Sequence, residues 1–190
     1  MAMARSSRFA WALPGRLAVA AAVAACTPIE PPTPEAPRQG LVGDGPHRLV
    51  VGAGVFDAFD EGESSASIEG DRTAAIQVDV RSGRKLFGLG PAAGVLANHN
   101  GGTYAFGGLY ADIAVGPYIV ITPLVGGGAY FRNNSKDMGG PFAVRTELAI
   151  GAVRDDGIWV GFRWGHISNG EIYSQNPSQE DFMITLSVTF

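Results

Sequence analysis

Asp181-Phe182-Met183-Ile184-Thr185-Leu186-Ser187-Val188-Thr189-Phe190 decides the fold class. Phe182, Ile184, Leu186, Val188 and Phe190 are apolar, and Thr185, Ser187 and Thr189 between them are small and polar. Successive side chains of a strand point to opposite faces, so one face of this segment is apolar throughout and the other largely polar. The segment 157–168 repeats the pattern, with Ile158, Val160, Phe162 and Trp164 on one face and Arg163 on the other. In 142–154, Phe142, Val144, Leu148 and Ile150 oppose Arg145 and Glu147. Charges of both signs on the polar face pair readily if that face lines a narrow, filled interior.

The same texture extends back to residue 48. Strands are expected at 48–59, 73–81, 85–97, 103–115, 118–131, 142–154, 157–168 and 181–190, and no sustained helical period appears after residue 26. Pro123 sits awkwardly in a fully paired strand, and the alternation of 103–131 is poor. The breaks separate a barrel from a sandwich. Arg81-Ser82-Gly83-Arg84, Val115-Gly116-Pro117 and Arg154-Asp155-Asp156-Gly157 are tight, whereas 60–72, 98–102, 132–141 and 167–181 are longer and polar. Short turns at one end and long loops at the other predict an all-β, eight-stranded antiparallel up-and-down transmembrane β-barrel in the outer membrane, long loops outside. The terminal aromatic, Phe190, resembles an outer-membrane insertion signal.

Composition removes several function classes. The net charge is −4 with 17% charged residues, which leaves no electrostatic footprint for nucleic acid. A single cysteine excludes an intrachain disulfide and a Cys-based zinc cluster, and His47, His99 and His166 share no metal-ligand spacing. Asp57, Asp60 and Asp79 form no calcium-loop pattern and are expected to be solvated or lumenal. No metal or cofactor is implied.

Residues 1–25 read as a signal peptide: Arg5, Arg8 and Arg16 precede a short apolar run from Leu17 to Ala25. Val23-Ala24-Ala25-Cys26 resembles a bacterial lipoprotein box, so Cys26 is the expected site of lipidation and the first residue of the mature chain. Residues 26–46 are rich in proline and are expected to be an extended linker, with the barrel occupying 47–190.

Between the last two strands lie Trp164-Gly165-His166-Ile167-Ser168-Asn169 and a polar loop through Asn176-Pro177 to Glu180. A hydroxyl, an imidazole and a carboxylate are the parts of a Ser-His-acid site. Parity places them: His166 and Ser168 continue the apolar, lipid-facing set of Trp164, and Glu180 shares the face of Phe182. The three are expected to converge on the outer surface of the barrel near the membrane boundary. Ser168 is then the nucleophile, His166 the base and Glu180 the acid. Asn169, Asn176 and loop backbone N–H groups are candidates to stabilise the oxyanion. Glu171 is a rival carboxylate, expected to point to solvent. Trp164 and Tyr173 are expected in the interfacial aromatic girdle.

The His-Ile-Ser-Asn run followed by Asn-Pro-Ser-Gln-Glu resembles the lipid A 3-O-deacylase family of outer-membrane esterases. In that family His-x-Ser-Asn carries base and nucleophile, and a Glu twelve residues after the Ser completes the triad. The similarity is densest over 153–190 and loosely includes Gly54-Val55-Phe56-Asp57 and Gly107-Gly108-Leu109-Tyr110. It implies hydrolysis of an ester-linked acyl chain on lipid A of lipopolysaccharide in the outer leaflet, and leaves a homodimer open. This chain departs from the usual pattern at Ser178, where the family has Gly, at Gly170-Glu171, and in its lipoprotein-type leader. The competing reading is a non-catalytic small barrel with a structural or lipid-binding role in the outer membrane.

Overall fold

The computed structural model describes residues 39–59, 72–154 and 157–190. Cys26, the leader and Asp60 lie outside the described residues. The strands are β1 (Gln39–Leu41), β2 (Arg48–Phe56), β3 (Thr73–Arg81), β4 (Leu89–Asn98), β5 (Thr103–Ala111), β6 (Ile113–Val115), β7 (Ile119–Phe131), β8 (Phe142–Val153), β9 (Trp159–Ser168) and β10 (Ser178–Thr189). Every pairing is antiparallel. From β2 to β10 successive strands pair in chain order, except that β5 and β6 both pair with β7, and β10 returns to pair with β2, which closes the sheet. With β5 and β6 counted as one interrupted strand, this is an eight-stranded up-and-down barrel.

The interruption has a local cause. The β5–β7 ladder reaches Tyr110↔Leu124 and resumes in the same register at Ile113↔Ile121. Between these pairs β7 presents Pro123, which has no N–H to give, and the ladder lapses over Ala111 and Asp112. The expected strand 85–97 starts four residues later because Leu86–Leu89 form a tight turn, closed by mutual backbone bonds between Leu86 and Leu89, with Phe87 at φ 53° and Gly88 at φ 80°. The last strand starts earlier than expected, at Ser178. A further departure is at 39–46, expected to belong to the linker. Gln39–Leu41 pair with β6, and Val42 and Gly45 donate N–H bonds to the carbonyls of Asp112 and Gly83. The folded part therefore begins by residue 39.

The outward faces carry Val51, Val78, Val95, Leu109, Val125, Leu148, Phe162 and Leu186, all exposed. So much apolar surface suits hydrocarbon and would be a liability in water. The interior is filled. Arg81, Arg145 and Arg163 interleave with Asp79, Glu147 and Asp181, three charges of each sign, all buried. Arg145 bonds both oxygens of Asp181 at 2.7 and 3.0 Å, and Arg81 links Asp79 and Glu147 at 2.8 and 2.7 Å. Arg163 reaches Asp79 at 3.2 Å. Asp79 is thus lumenal. Asp57 is buried at the outer mouth, where Lys136 holds it at 2.8 Å.

That lysine belongs to the β7–β8 loop, which folds over the mouth, with Met138 buried and Ser135 accepting a bond from Asn98 at 2.7 Å. The loop leaves Asn134 exposed, as is Arg84 in the tight β3–β4 turn at the opposite end. With the parent chain as control for Cys26, Asn134→Cys on intact cells should react with an impermeant thiol reagent and Arg84→Cys should not. Preferential labelling at position 84 would invert this orientation.

Candidate active site

β9 carries its odd-numbered residues inward, Arg163, Gly165 and Ile167, all buried, and its even-numbered residues outward. The register sets His166 opposite Glu180 on β10 and Thr146 on β8, and Ser168 opposite Ser178 and Val144. Directly opposed side chains have Cβ atoms about 5 Å apart, which lets the His166 ring and the Glu180 carboxylate meet: Nδ1 lies 3.0 Å from Oε1. An ionised carboxylate only accepts, so Nδ1 carries the hydrogen and the lone pair of the neutral ring falls on Nε2. The pair is 31% and 22% exposed, on the outer surface at the long-loop end of the barrel. Ser168, two residues further along the same face, is about 7 Å from His166 between Cα atoms, and its hydroxyl makes no hydrogen bond among the described residues.

The strand bearing this row is braced from behind. Gly165 lies opposite Glu147 on one side and Asp181 on the other. The guanidinium of Arg145 crosses its inner face to reach Asp181; a Cβ at Gly165 would strike both groups. Glycine here is therefore a requirement of the bracing ion pair.

Asn169 is the next inward position and is fully buried. Its Nδ2 donates to the carbonyls of Met138, at 2.9 Å, and Gln175, at 2.5 Å, and its Oδ1 accepts the N–H of Glu171 at 3.0 Å. Its own N–H is bonded to Asn176 Oδ1 at 3.1 Å. The expectation that the Asn169 side chain serves as an oxyanion donor is thus corrected: both its amide hydrogens are committed to carbonyls, and it ties the β9–β10 loop to the β7–β8 loop. Asn176 is exposed, with Nδ2 without a hydrogen bond among the described residues. Glu171, at φ 64°, is exposed in the loop. Tyr173 accepts the Phe142 N–H at 3.1 Å and packs against Gly140. Sequence reading missed these loop-to-loop ties because their partners are some thirty residues apart.

Below the row, on the same outward face, Phe182 pairs in register with Trp164 and meets Phe162 and Phe59 at ring-centroid distances of 5.6 and 5.2 Å. The polar groups therefore lie directly above an aromatic, lipid-facing surface.

The family model described as Lipid A 3-O-deacylase (PagL) matches residues 73–189, more than half of the chain, and the match includes His166, Ser168 and Glu180. The chain belongs to that family. Its fold is similar to that in the crystal structure of the outer membrane enzyme PagL, with a TM-score of 0.55 at 15% identity over 75% of this chain and 99% of that one. A transmembrane β-barrel designed de novo is similar at a TM-score of 0.50 and 12% identity, covering 78% of this chain and 100% of the other. No curated protein sequence matches. This member of the lipid A 3-O-deacylase family is an outer-membrane β-barrel.

Proposed function

We propose that this barrel is a serine esterase that removes an ester-linked acyl chain from lipid A in the outer leaflet, with Ser168, His166 and Glu180 as its triad. The observation that carries the proposal is the 3.0 Å contact of His166 Nδ1 with Glu180 on the lipid-facing side of the barrel, with Ser168 beyond it on the same face. Ser168 attacks the acyl carbonyl. His166 Nε2 takes the hydroxyl proton and returns it to the leaving alcohol, and Glu180 holds the ring in that tautomer and stabilises its cation. Nδ2 of Asn176 and loop N–H groups face the developing oxyanion, and Asn169 supports the loop that carries them. The surface formed by Trp164, Phe182, Phe162 and Phe59 suits the acyl chain, while the sugar and its phosphates lie level with the polar loops.

Mass spectrometry of lipid A from cells with and without the protein tests this reading. Expression should shift lipid A by the mass of one acyl chain and release the matching free fatty acid. Identical lipid A profiles, with the barrel folded in the outer membrane, would favour the non-catalytic role.

A further inference from the structure

Resting on the triad reading above, we propose that Ser178 is a further catalytic residue, whose hydroxyl donates a hydrogen bond to the oxyanion formed at Ser168. The pairing that brings Glu180 opposite His166 also brings Ser178 opposite Ser168, one step toward the loop. Both serines lie on the outward face and are partly exposed. Directly opposed positions put their Cβ atoms about 5 Å apart. A carbonyl carbon bonded to Ser168 Oγ would hold its oxygen within reach of the hydroxyl across the ladder. Among the described residues, neither hydroxyl has a hydrogen-bond partner.

The donors nearby make this hydroxyl matter. On the loop after Ser168, the N–H groups of Asn169, Glu171 and Ile172 and both amide hydrogens of Asn169 are spent inside the loop and on Met138. Among the described residues, the N–H groups of Gly170 and of 173–176 and Asn176 Nδ2 remain without a hydrogen bond on the loop side. Ser178 supplies a donor from the opposite, ladder side. The usual glycine of the family has no side chain there. Ser178 sits in regular strand geometry without a positive φ, so the backbone does not require glycine.

In the step itself, a bond forms between Ser168 Oγ and the acyl carbon, and the carbonyl π pair moves onto oxygen. The Ser168 proton passes to His166 Nε2. When the intermediate collapses, the oxyanion pair re-forms the carbonyl, the ester C–O bond breaks and that proton goes to the departing alcohol oxygen; water, giving its proton to His166 Nε2, then attacks the acyl–Ser168 ester through a second such intermediate, the proton returns to Ser168 Oγ and the fatty acid leaves. Ser178 keeps its own proton throughout and contributes only while the oxygen is anionic, so its effect falls on kcat more than on KM.

The test compares Ser178→Ala, Ser178→Gly, Ser178→Thr and Ser168→Ala as purified, heat-modifiable barrels. Two readouts apply: hydrolysis of a chromogenic ester in mixed micelles, and the rate of labelling by a fluorophosphonate, whose adduct mimics the tetrahedral intermediate. Removing one oxyanion donor costs on the order of 10²-fold; for one donor among several, about tenfold or more is expected. Ser178→Ala and Ser178→Gly should lose this much in kcat and in labelling rate, with KM unchanged and Ser178→Thr largely restoring both. Full kcat and full labelling in the Ala and Gly variants, with Ser168→Ala inert, would overturn the role of Ser178 and leave the triad standing. A Ser168→Ala barrel that still hydrolyses ester would overturn the triad itself.

Discussion

Ser168→Ala should leave a folded barrel with no measurable ester hydrolysis, a loss on the order of 10⁴-fold or more in kcat for removal of a triad nucleophile. The separation of chemistry from folding is expected because the Ser168 hydroxyl has no hydrogen bond among the described residues. His166→Ala should behave alike. Glu180→Ala should lose on the order of 10²-fold or more, since the ring then lacks the partner that fixes its tautomer. Glu171→Ala should lose little, because that side chain is exposed in the loop with no registered partner on β9. Kinetics on heat-modifiable material check all four. An inactive Glu171→Ala beside a fully active Glu180→Ala would mean that the acid has been misassigned.

The second large effect concerns the interior. Asp181→Ala should destabilise the barrel by about 3 kcal/mol or more, the range for removing one member of a buried ion pair. Asp181 and Arg145 are both fully buried and joined by two hydrogen bonds. The single substitution leaves the network of three arginines and three acids one positive charge in excess. Arg145→Met combined with Asp181→Leu restores the balance and should recover part of the loss. Urea unfolding of the barrel in lipid vesicles reads both. A double variant no more stable than Asp181→Ala would show that shape, and not charge balance, sets the cost.

Where the chain alternates cleanly, the fold was legible in the residues themselves. The apolar set from Phe182 to Phe190 gave β10 its faces, and extending that parity to 166, 168 and 180 put the site row on the outer surface, where the structure has it. Illegible features depend on partners far away in the chain. The lapse over Ala111 and Asp112 follows from Pro123 on the next strand, and the docking of 39–46 from an open edge on β6. The inward commitment of Asn169 depends on Met138, thirty-one residues earlier. Parity alone places Asn169 inward, but only the closed barrel brings carbonyls within its reach. Ser178 lay between these cases: given the pairing of His166 with Glu180, the position opposite Ser168 follows by counting.

For the proposed esterase, the outward position of the row also sets how substrate would reach it. A group that opens sideways into the leaflet meets its ligand by lateral diffusion in two dimensions, with no pore or aqueous encounter required. The concentration that governs turnover is then the mole fraction of substrate among neighbouring lipids. Adding inert detergent to a fixed amount of enzyme and substrate should slow the reaction by surface dilution, whereas enlarging the bulk volume at a constant lipid-to-detergent ratio should leave the rate per enzyme unchanged.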